Sequence, residues 1–429
     1  MGQGVLRPSP DALPRRCGFV TPAEQERLTA VGPGPARGEL YRRYWLPVLA
    51  SVELRSGAAR AVRVLGEDLI AYRTTGNTLG LVAERCPHRG TSLRLGVVDG
   101  EGIRCPYHGW KFDGAGQCLA MPAEADSARL AAHVRTTAYG IAELGGLVFA
   151  YLGPAPAPLV PRYDLFVWDN VLRDIGRALL PCNWLQIMEN SVDPTHTEWL
   201  HGHHLPAMRA PEKTPNSSAY ARHQVRIGFE RFRYGITKRR VLEGGSEADE
   251  DWRIGHPLIF PNMLRVGAQC QHRFQIRVPV DDTHTLHWWY SVYRPGPGRS
   301  APAQSEVPVY EVPWRDDAGN FIVDYVDGGD MMVWVSQGAI ADRTRERLVS
   351  SDRGLQLLRQ LYLEALGQMS AGGDPLGVIR DPEENRLIEF TQEQDKLGGG
   401  RRFLEQALTI SHVRYSPIRE QIRALLDFD

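Results

Sequence analysis

Cys86-Pro87-His88-Arg89-Gly90 and Cys105-Pro106-Tyr107-His108-Gly109-Trp110 decide how this chain is read. Each run offers one thiol and one imidazole, and sixteen residues lie between His88 and Cys105. Proline and glycine flank both runs, and they favour tight turns that aim ligands at a common point. A structural zinc site usually takes its cysteines from one loop and its histidines from another. Here each loop is mixed.

Two thiolates on one iron and two imidazoles on the other form the ligand set of a Rieske [2Fe-2S] centre. Imidazole is neutral where thiolate is anionic, so such a cluster accepts an electron at a higher potential than an all-cysteine one. Cys86, His88, Cys105 and His108 are therefore read as cluster ligands, and the chain as carrying a one-electron relay. Cys17, Cys118, Cys182 and Cys270 show no ligand spacing and read as small buried apolar side chains.

The chain has 429 residues, room for two or three domains. With 50 basic and 51 acidic residues, it gives no electrostatic case for nucleic acid or an anionic membrane. Its 43 glycines and 30 prolines suit a turn-rich β-protein. Six cysteines in so long a chain do not make a disulfide scaffold, and two are needed as thiolates, so a cytoplasmic location is expected. Met1 to Pro10 holds no apolar signal region and no later run is long enough to span a bilayer, so no membrane association is expected.

Thr21-Pro22-Ala23-Glu24 spells a capping box with proline at the first helical position, predicting a short helix to about Val31. From Ala61 to Leu152 short strands and turns alternate, and the two cluster loops sit among them. Gly153-Pro154-Ala155-Pro156-Ala157-Pro158 reads as a stiff linker. Beyond it come a helical segment from Asn183 to His201, a strand-rich stretch to about Tyr293, and helical periodicity over Ala341–Met369. In the last, Leu355, Leu358, Tyr362, Ala365, Leu366 and Met369 form a stripe, with Ser351 or Asp352 as cap. The expected class is α+β: a small β-domain holding the cluster, then an antiparallel β-sheet flanked by helices. The expected divisions are a helical segment at 1–44 packing on the second domain, the cluster domain at 45–152 and the second domain at 153–429.

Asp193-Pro194-Thr195-His196 followed by His201 gives D-x2-H-x4-H. Two histidines and a carboxylate, with three positions open, make the facial triad of non-haem Fe(II) oxygenases. On a regular α-helix, residues five apart point about 140° from each other. Both histidines can share one metal only if the helix is distorted; Pro194 upstream and a helix end at Gly202 would supply the distortion. An electron relay needs a sink, and an O2-activating iron is one.

With these residues in view, the chain resembles the α subunits of Rieske non-haem iron aromatic-ring oxygenases, over nearly its whole length. The resemblance rests on the cluster loops, Asn183-Trp184-Leu185-Gln186, Glu189-Asn190, Asp193, His196, His201 and Val278-Pro279-Val280-Asp281-Asp282-Thr283-His284-Thr285. Arg42-Arg43-Tyr44-Trp45-Leu46-Pro47 and the Ser336–Leu348 stretch are similar to the phthalate dioxygenase and aryl-ether O-demethylase branch. The resemblance implies a helix-grip catalytic domain and a third iron ligand, an aspartate shortly before Ser336. Asp324, Asp327 and Asp330 all fit on spacing. Asp330 stands four before Trp334, as in the branch, and is chosen, although Gly329 replaces the glutamine the branch often has. The resemblance also makes Asp193 the carboxylate bridging the iron ligand His196 to a cluster histidine of the next subunit in a homotrimer. Asn190 is placed near the open face of the iron.

The implied activity is that of a terminal oxygenase. It takes electrons from a ferredoxin or flavin reductase, since no G-x-G-x-x-G follows a strand here. The substrates are O2 and an aromatic compound. O-demethylation of a methoxylated aromatic is favoured, with dihydroxylation of an aromatic carboxylate as the alternative and a Rieske electron carrier as a reading of another class. Phe260, Met263, Trp288, Trp289, Met331, Met332 and Trp334 are candidates for an apolar pocket. Arg209, Arg253 and Arg265 are candidates for holding a carboxylate, and none stands out, which favours the demethylase.

Overall fold

The computed structural model describes residues 20–32, 38–209 and 219–426. Cys17 and the side chain of Arg209 lie outside these residues. The capping box forms as spelled: the Thr21 hydroxyl accepts from the Glu24 N–H, and the helix runs Pro22–Thr29, closing two residues before Val31. This helix is tied to the chain beyond the linker. Asn183 Nδ2 and Trp184 Nε1 donate to the Thr29 carbonyl at 3.0 and 3.2 Å.

Ten short strands carry the cluster loops. They are β1 (Leu46–Ala50), β2 (Ala59–Val64), β3 (Glu67–Arg73), β4 (Leu79–Ala83), β5 (Val97–Asp99), β6 (Gly102–Arg104), β7 (Lys111–Asp113), β8 (Cys118–Ala120), β9 (Gly140–Leu144) and β10 (Leu147–Tyr151). They form three antiparallel sheets, ordered β1-β10-β9, β2-β3-β4 and β5-β6-β7-β8. One cluster loop leaves β4 and the other joins β6 to β7, so two separate hairpin ends present the ligands.

The remaining strands make one eight-stranded sheet. They are β11 (Leu172–Leu180), β12 (Gln224–Phe232), β13 (Gly235–Leu242), β14 (His256–Ile259), β15 (Met263–Ala268), β16 (Gln271–Pro279), β17 (Thr285–Tyr293) and β18 (Val309–Glu311). Their spatial order is β12-β13-β14-β15-β16-β17-β11-β18. The expectation of an antiparallel sheet needs one correction. The short edge strand β18 runs parallel to β11, with Ile175 opposite Val309, so the sheet is mixed.

Helices Trp184–Ser191, Val326–Ser336, Arg353–Ser370 and Gly400–Ile410 accompany this sheet. The helical periodicity placed from Ala341 takes hold only at Arg353, because Arg343 is drawn into a buried ion pair with Glu189 and the chain there makes only short turns. Leu358, Tyr362 and Ala365 form the buried part of the stripe. Asp352 does not cap the helix; its carboxylate accepts from the Val349 N–H at 2.7 Å. Among the described residues no helix is long and apolar enough to cross a membrane.

Candidate functional site

The two cluster loops fold alike. The Cys86 carbonyl accepts from the Gly90 N–H at 2.9 Å, and the Cys105 carbonyl from the Gly109 N–H at 3.1 Å. Gly90 and Gly109 sit at φ +74° and +73°, the left-handed conformation that glycine adopts without strain. Both thiols are buried, whereas His88 is exposed and His108 half-buried. The imidazoles converge, with ring centroids 4.5 Å apart, and His88 stacks on Trp110 at 4.3 Å. Burial pushes the Cys86 thiol up to about 11, with Cys105 as a further contributor. A cationic partner is what turns such a thiol into a thiolate. Thiols inside and imidazoles outside suit a cluster that passes electrons through its histidine edge. Of the other cysteines, Cys118 and Cys182 are buried and Cys270 half-buried.

The second candidate site is assembled by two helical segments. Helix Trp184–Ser191 ends before Asp193, and a π-helix runs Thr197–His204, with His196 at its N-terminal cap. In a π-helix the ladder bonds join residues five apart, which brings such residues onto one flank. This is how His196 and His201 meet. Gly202 does not end the helical run, as the sequence reading had it. It is small because the chain at Tyr220–Ala221 crosses there, and a Cβ would lie 2.6 Å from the Ala221 Cα. The crossing sets the Tyr220 ring 5.5 Å from the His201 ring.

The carboxylate comes from helix Val326–Ser336. Asp330 Oδ1 lies 3.2 Å from His201 Nε2 and 3.8 Å from His196 Nε2. One ligand atom from each of the three residues falls within 4.8 Å of the others. Asp324 is instead paired with Arg414 at 2.8 Å, and Asp327 accepts from Trp289 Nε1 and the His412 N–H, each at 2.7 Å. A Cβ at Gly329 would face Leu200 of the π-helix at 3.7 Å.

These atoms fit a metal ion. Asp330 Oδ1 is buried with no hydrogen-bond partner, an arrangement that costs free energy unless a ligand offsets it. His196 Nδ1 donates to the Asp193 carbonyl at 2.6 Å, leaving Nε2 to face the other two ligands. Burial, opposed by Asp193 and Asp330, holds the His196 imidazole down to about 4, so it is neutral near pH 7 and its lone pair is free. Asp193 Oδ1 is occupied by the Thr195 N–H and hydroxyl at 2.8 and 2.6 Å, and Oδ2 stands 3.7 Å from His196 Nδ1. Asn190 is half-buried, and its carbonyl accepts from the Asp193 N–H at 3.1 Å.

Two buried side chains fix the segments against each other. Gln186 Nε2 donates to the carbonyls of Trp334 and Gly338, and its Oε1 accepts from the Ala341 N–H, joining helix Trp184–Ser191 to the end of helix Val326–Ser336 and the chain beyond it. Glu189 accepts from Arg343 and Arg359, and Arg359 also holds Glu346. Although burial opposes it, Arg343 and Arg359 keep the Glu189 carboxyl below its usual range.

The sheet carries a feature the sequence reading missed. Lys238, Arg240, Arg273 and Arg277 are all buried. Arg273 pairs across the sheet with Val266 and Ser291, Gln275 with Leu264 and Trp289, and Arg277 with His287. These residues share one face of β16, while Phe274 and Ile276 point the other way into the main core. A cavity of about 80 Å3 opens on the polar face between β16, helix Gly400–Ile410, Tyr220 and the start of helix Val326–Ser336. Trp288, Phe260 and Met263 belong to the main core, and Trp289, Met331 and Trp334 to a second one, so none of these lines the cavity. Of the arginines expected to meet a carboxylate, Arg253 is exposed and pairs with Glu250, and Arg265 is buried 3.4 Å from Asp164.

Comparison with known proteins gives the same parts. Residues 44–138 match the family model described as Rieske [2Fe-2S] domain, and residues 150–301 and 316–399 match that described as LigXa C-terminal domain like. The chain is 38% identical to the 5,5'-dehydrodivanillate O-demethylase oxygenase subunit of Sphingobium sp. (strain NBRC 103272 / SYK-6), over 85% of each chain. It is 31% identical to the phthalate 4,5-dioxygenase oxygenase subunit of Pseudomonas putida, over 87% of this chain and 92% of that one. Its fold is also that of the carbazole-bound oxygenase in the ferredoxin complex of carbazole 1,9a-dioxygenase, with TM-score 0.52, 18% identity, and 86% and 98% of the two chains covered. A second matched domain carrying a His/His/Asp group sets aside the electron-carrier reading. With a Rieske domain, a metal triad and relatives that align over more than four fifths of both chains, the chain belongs to the Rieske-type aromatic-ring oxygenases, as an α subunit that activates O2 on aromatic substrates.

Proposed function

We propose that this oxygenase O-demethylates a methoxylated aromatic compound, receiving its electrons from a ferredoxin or reductase. The observation that carries the reading is the 38% identity, over 85% of both chains, to an oxygenase subunit named as an O-demethylase. Dihydroxylation of an aromatic carboxylate is the second reading, favoured by the likeness to the phthalate dioxygenase subunit. The fold shared with an oxygenase described in complex with ferredoxin supports the donor.

In this reading the cluster domain spans 45–152, the iron domain 153–429, and the segment 1–44 packs on the latter through its helix Pro22–Thr29. Cys86, His88, Cys105 and His108 hold the [2Fe-2S] group, and His196, His201 and Asp330 hold the iron. When bound, the two groups supply single electrons and O2 activation. The protein's share is positional. The Asp193 carbonyl fixes the His196 tautomer, and Asn190 stands beside the open face. Thr195 occupies one Asp193 oxygen, which leaves the other to meet a cluster histidine of a neighbouring subunit in a homotrimer. The net reaction consumes one methyl ether, one O2, two electrons and two protons. It yields a hemiacetal and water, and the hemiacetal collapses to a phenol and formaldehyde.

The test is a single turnover of the dithionite-reduced protein with O2 and a methoxylated aromatic. About one formaldehyde per O2 consumed is expected. A cis-diol without formaldehyde would replace the reading with the second one.

A further inference from the structure

Tyr220 is held against the triad by its own backbone and by a second ring. The short turn Ala219–Ala221 crosses the π-helix at Gly202, where a Cβ would lie 2.6 Å from the Ala221 Cα and 2.8 Å from the Tyr220 carbonyl carbon. The phenol ring meets the His201 ring at 5.5 Å between centroids, and Phe403 of helix Gly400–Ile410 meets the phenol ring at 5.6 Å. The crossing and Phe403 together keep the phenol beside a ligand histidine.

Among the described residues, the ring contacts of His196 and His201 are with each other and with Tyr220. The other oxidisable side chains on the ligand-bearing segments are turned elsewhere. Trp334, one turn beyond Asp330, stacks on His287 and belongs with Met331 to the second core. Trp199, on the π-helix, is 68% exposed and meets His203 at 4.9 Å. Tyr220 also borders the cavity of about 80 Å3. That volume is well below the range of small-molecule sites but has room for O2 or water. Desolvation and the charges of Asp327 and Asp330 push the Tyr220 phenol above its ordinary range, so near pH 7 it is a neutral, electron-rich ring.

An O2-activating centre with no substrate in reach oxidises what lies nearest to it, and closeness and fixed orientation decide which group that is. We propose that Tyr220 is a self-modification site: when no aromatic substrate occupies the open face of the iron, the Tyr220 ring is hydroxylated at the carbon beside its phenol oxygen, giving a catechol side chain. The inference rests on the oxygenase chemistry above and goes beyond it, by naming the protein group that is oxidised when electron flow is not coupled to substrate. One tyrosine, one O2, two electrons and two protons give one dihydroxyphenylalanine residue and one water. The O–O bond breaks, one oxygen enters a ring C–H bond as a hydroxyl, and the other leaves as water. The electrons are those that the ferredoxin or reductase delivers.

The test is peptide mass spectrometry of the holoprotein after reduction with dithionite, removal of the excess, and exposure to isotopically heavy O2. Catalase is present, so that free peroxide is not the oxidant, and no aromatic compound is added. Cleavage after Lys213 and Arg222 isolates Tyr220 in a peptide with no other tyrosine. That peptide is expected to gain one heavy oxygen, at least about tenfold more often than any other tyrosine peptide, because only this ring is held at the triad. His196→Ala, treated alike, should lose the label while its cluster spectrum is unchanged. A methoxylated aromatic that releases formaldehyde should suppress the label in wild type. O2 consumption that leaves Tyr220 unlabelled would overturn the inference alone, as would equal labelling in His196→Ala. A reduced protein that consumes no O2 would instead remove the oxygenase chemistry and the inference with it.

Discussion

Glu189 offers a prediction whose size can be worked from its surroundings. Its carboxylate and the Arg343 and Arg359 guanidinium groups are all nearly or fully buried. Glu189→Ala would strip both arginines of this partner. Arg359 keeps Glu346 at 2.7 Å, but Arg343 keeps only the Ala341 carbonyl at 3.1 Å. The uncompensated charge is therefore mainly one guanidinium. Removing one side of a buried pair costs about 3–5 kcal/mol, and the surviving Arg359–Glu346 pair places this case near about 3. For a domain of this size that lowers the melting temperature by about 5 °C. Calorimetry of the holoprotein at pH 7 reads the shift. Because Glu189 is held below the unfolded carboxyl value of 4.5, its stabilisation is present above that pH and is lost as pH falls through the folded value. The gap between variant and wild type should therefore close in acid. Replacing Glu189 and Arg343 together by leucine and methionine should recover part of the loss. A Glu189→Ala melt within about 1 °C of wild type, or a gap that widens in acid, would refute this account of what holds helix Trp184–Ser191 to the segments that carry Arg343 and Arg359.

Three further outcomes are expected. Asp330→Ala should lose the mononuclear iron while Asp327→Ala keeps it, as metal analysis would report; the reverse would mean that the wrong carboxylate was chosen. Asp193→Asn should keep both metal groups yet slow reoxidation of the reduced cluster by at least about tenfold in stopped flow, since the amide loses the charge that steadies two imidazoles. Gly109→Ala should reduce cluster occupancy, read from the visible absorbance, because a side chain there faces both a left-handed backbone and the Pro122 Cγ at 3.0 Å.

The sequence was most legible where chemistry is local. The capping box at Thr21–Glu24 and the two loops Cys86–Gly90 and Cys105–Gly109 each contain their own turn chemistry, and their turns form as read. The D-x2-H-x4-H spacing was harder, since it contradicts an α-helix and nothing in the residues announces a π-helix. The reason Gly202 is needed lies in a chain segment that crosses it from Tyr220. The cavity cations were invisible for a different reason. Gln271-His272-Arg273-Phe274-Gln275-Ile276-Arg277 alternates like a strand, and the alternation alone does not tell whether its arginines meet water. In the fold both faces are covered, and the polar one lines the cavity. Alternation reports that two faces differ, not that one meets water.

The central claim is that one chain carries an electron-relay cluster and a separate O2-activating iron on His196, His201 and Asp330. Iron analysis of wild type and His196→Ala, with the visible spectrum recorded on the same samples, tests it most directly. The account predicts about three irons per chain in wild type and about two in the variant, with the cluster spectrum intact and turnover abolished. A His196→Ala protein that keeps its third iron and its activity would contradict it.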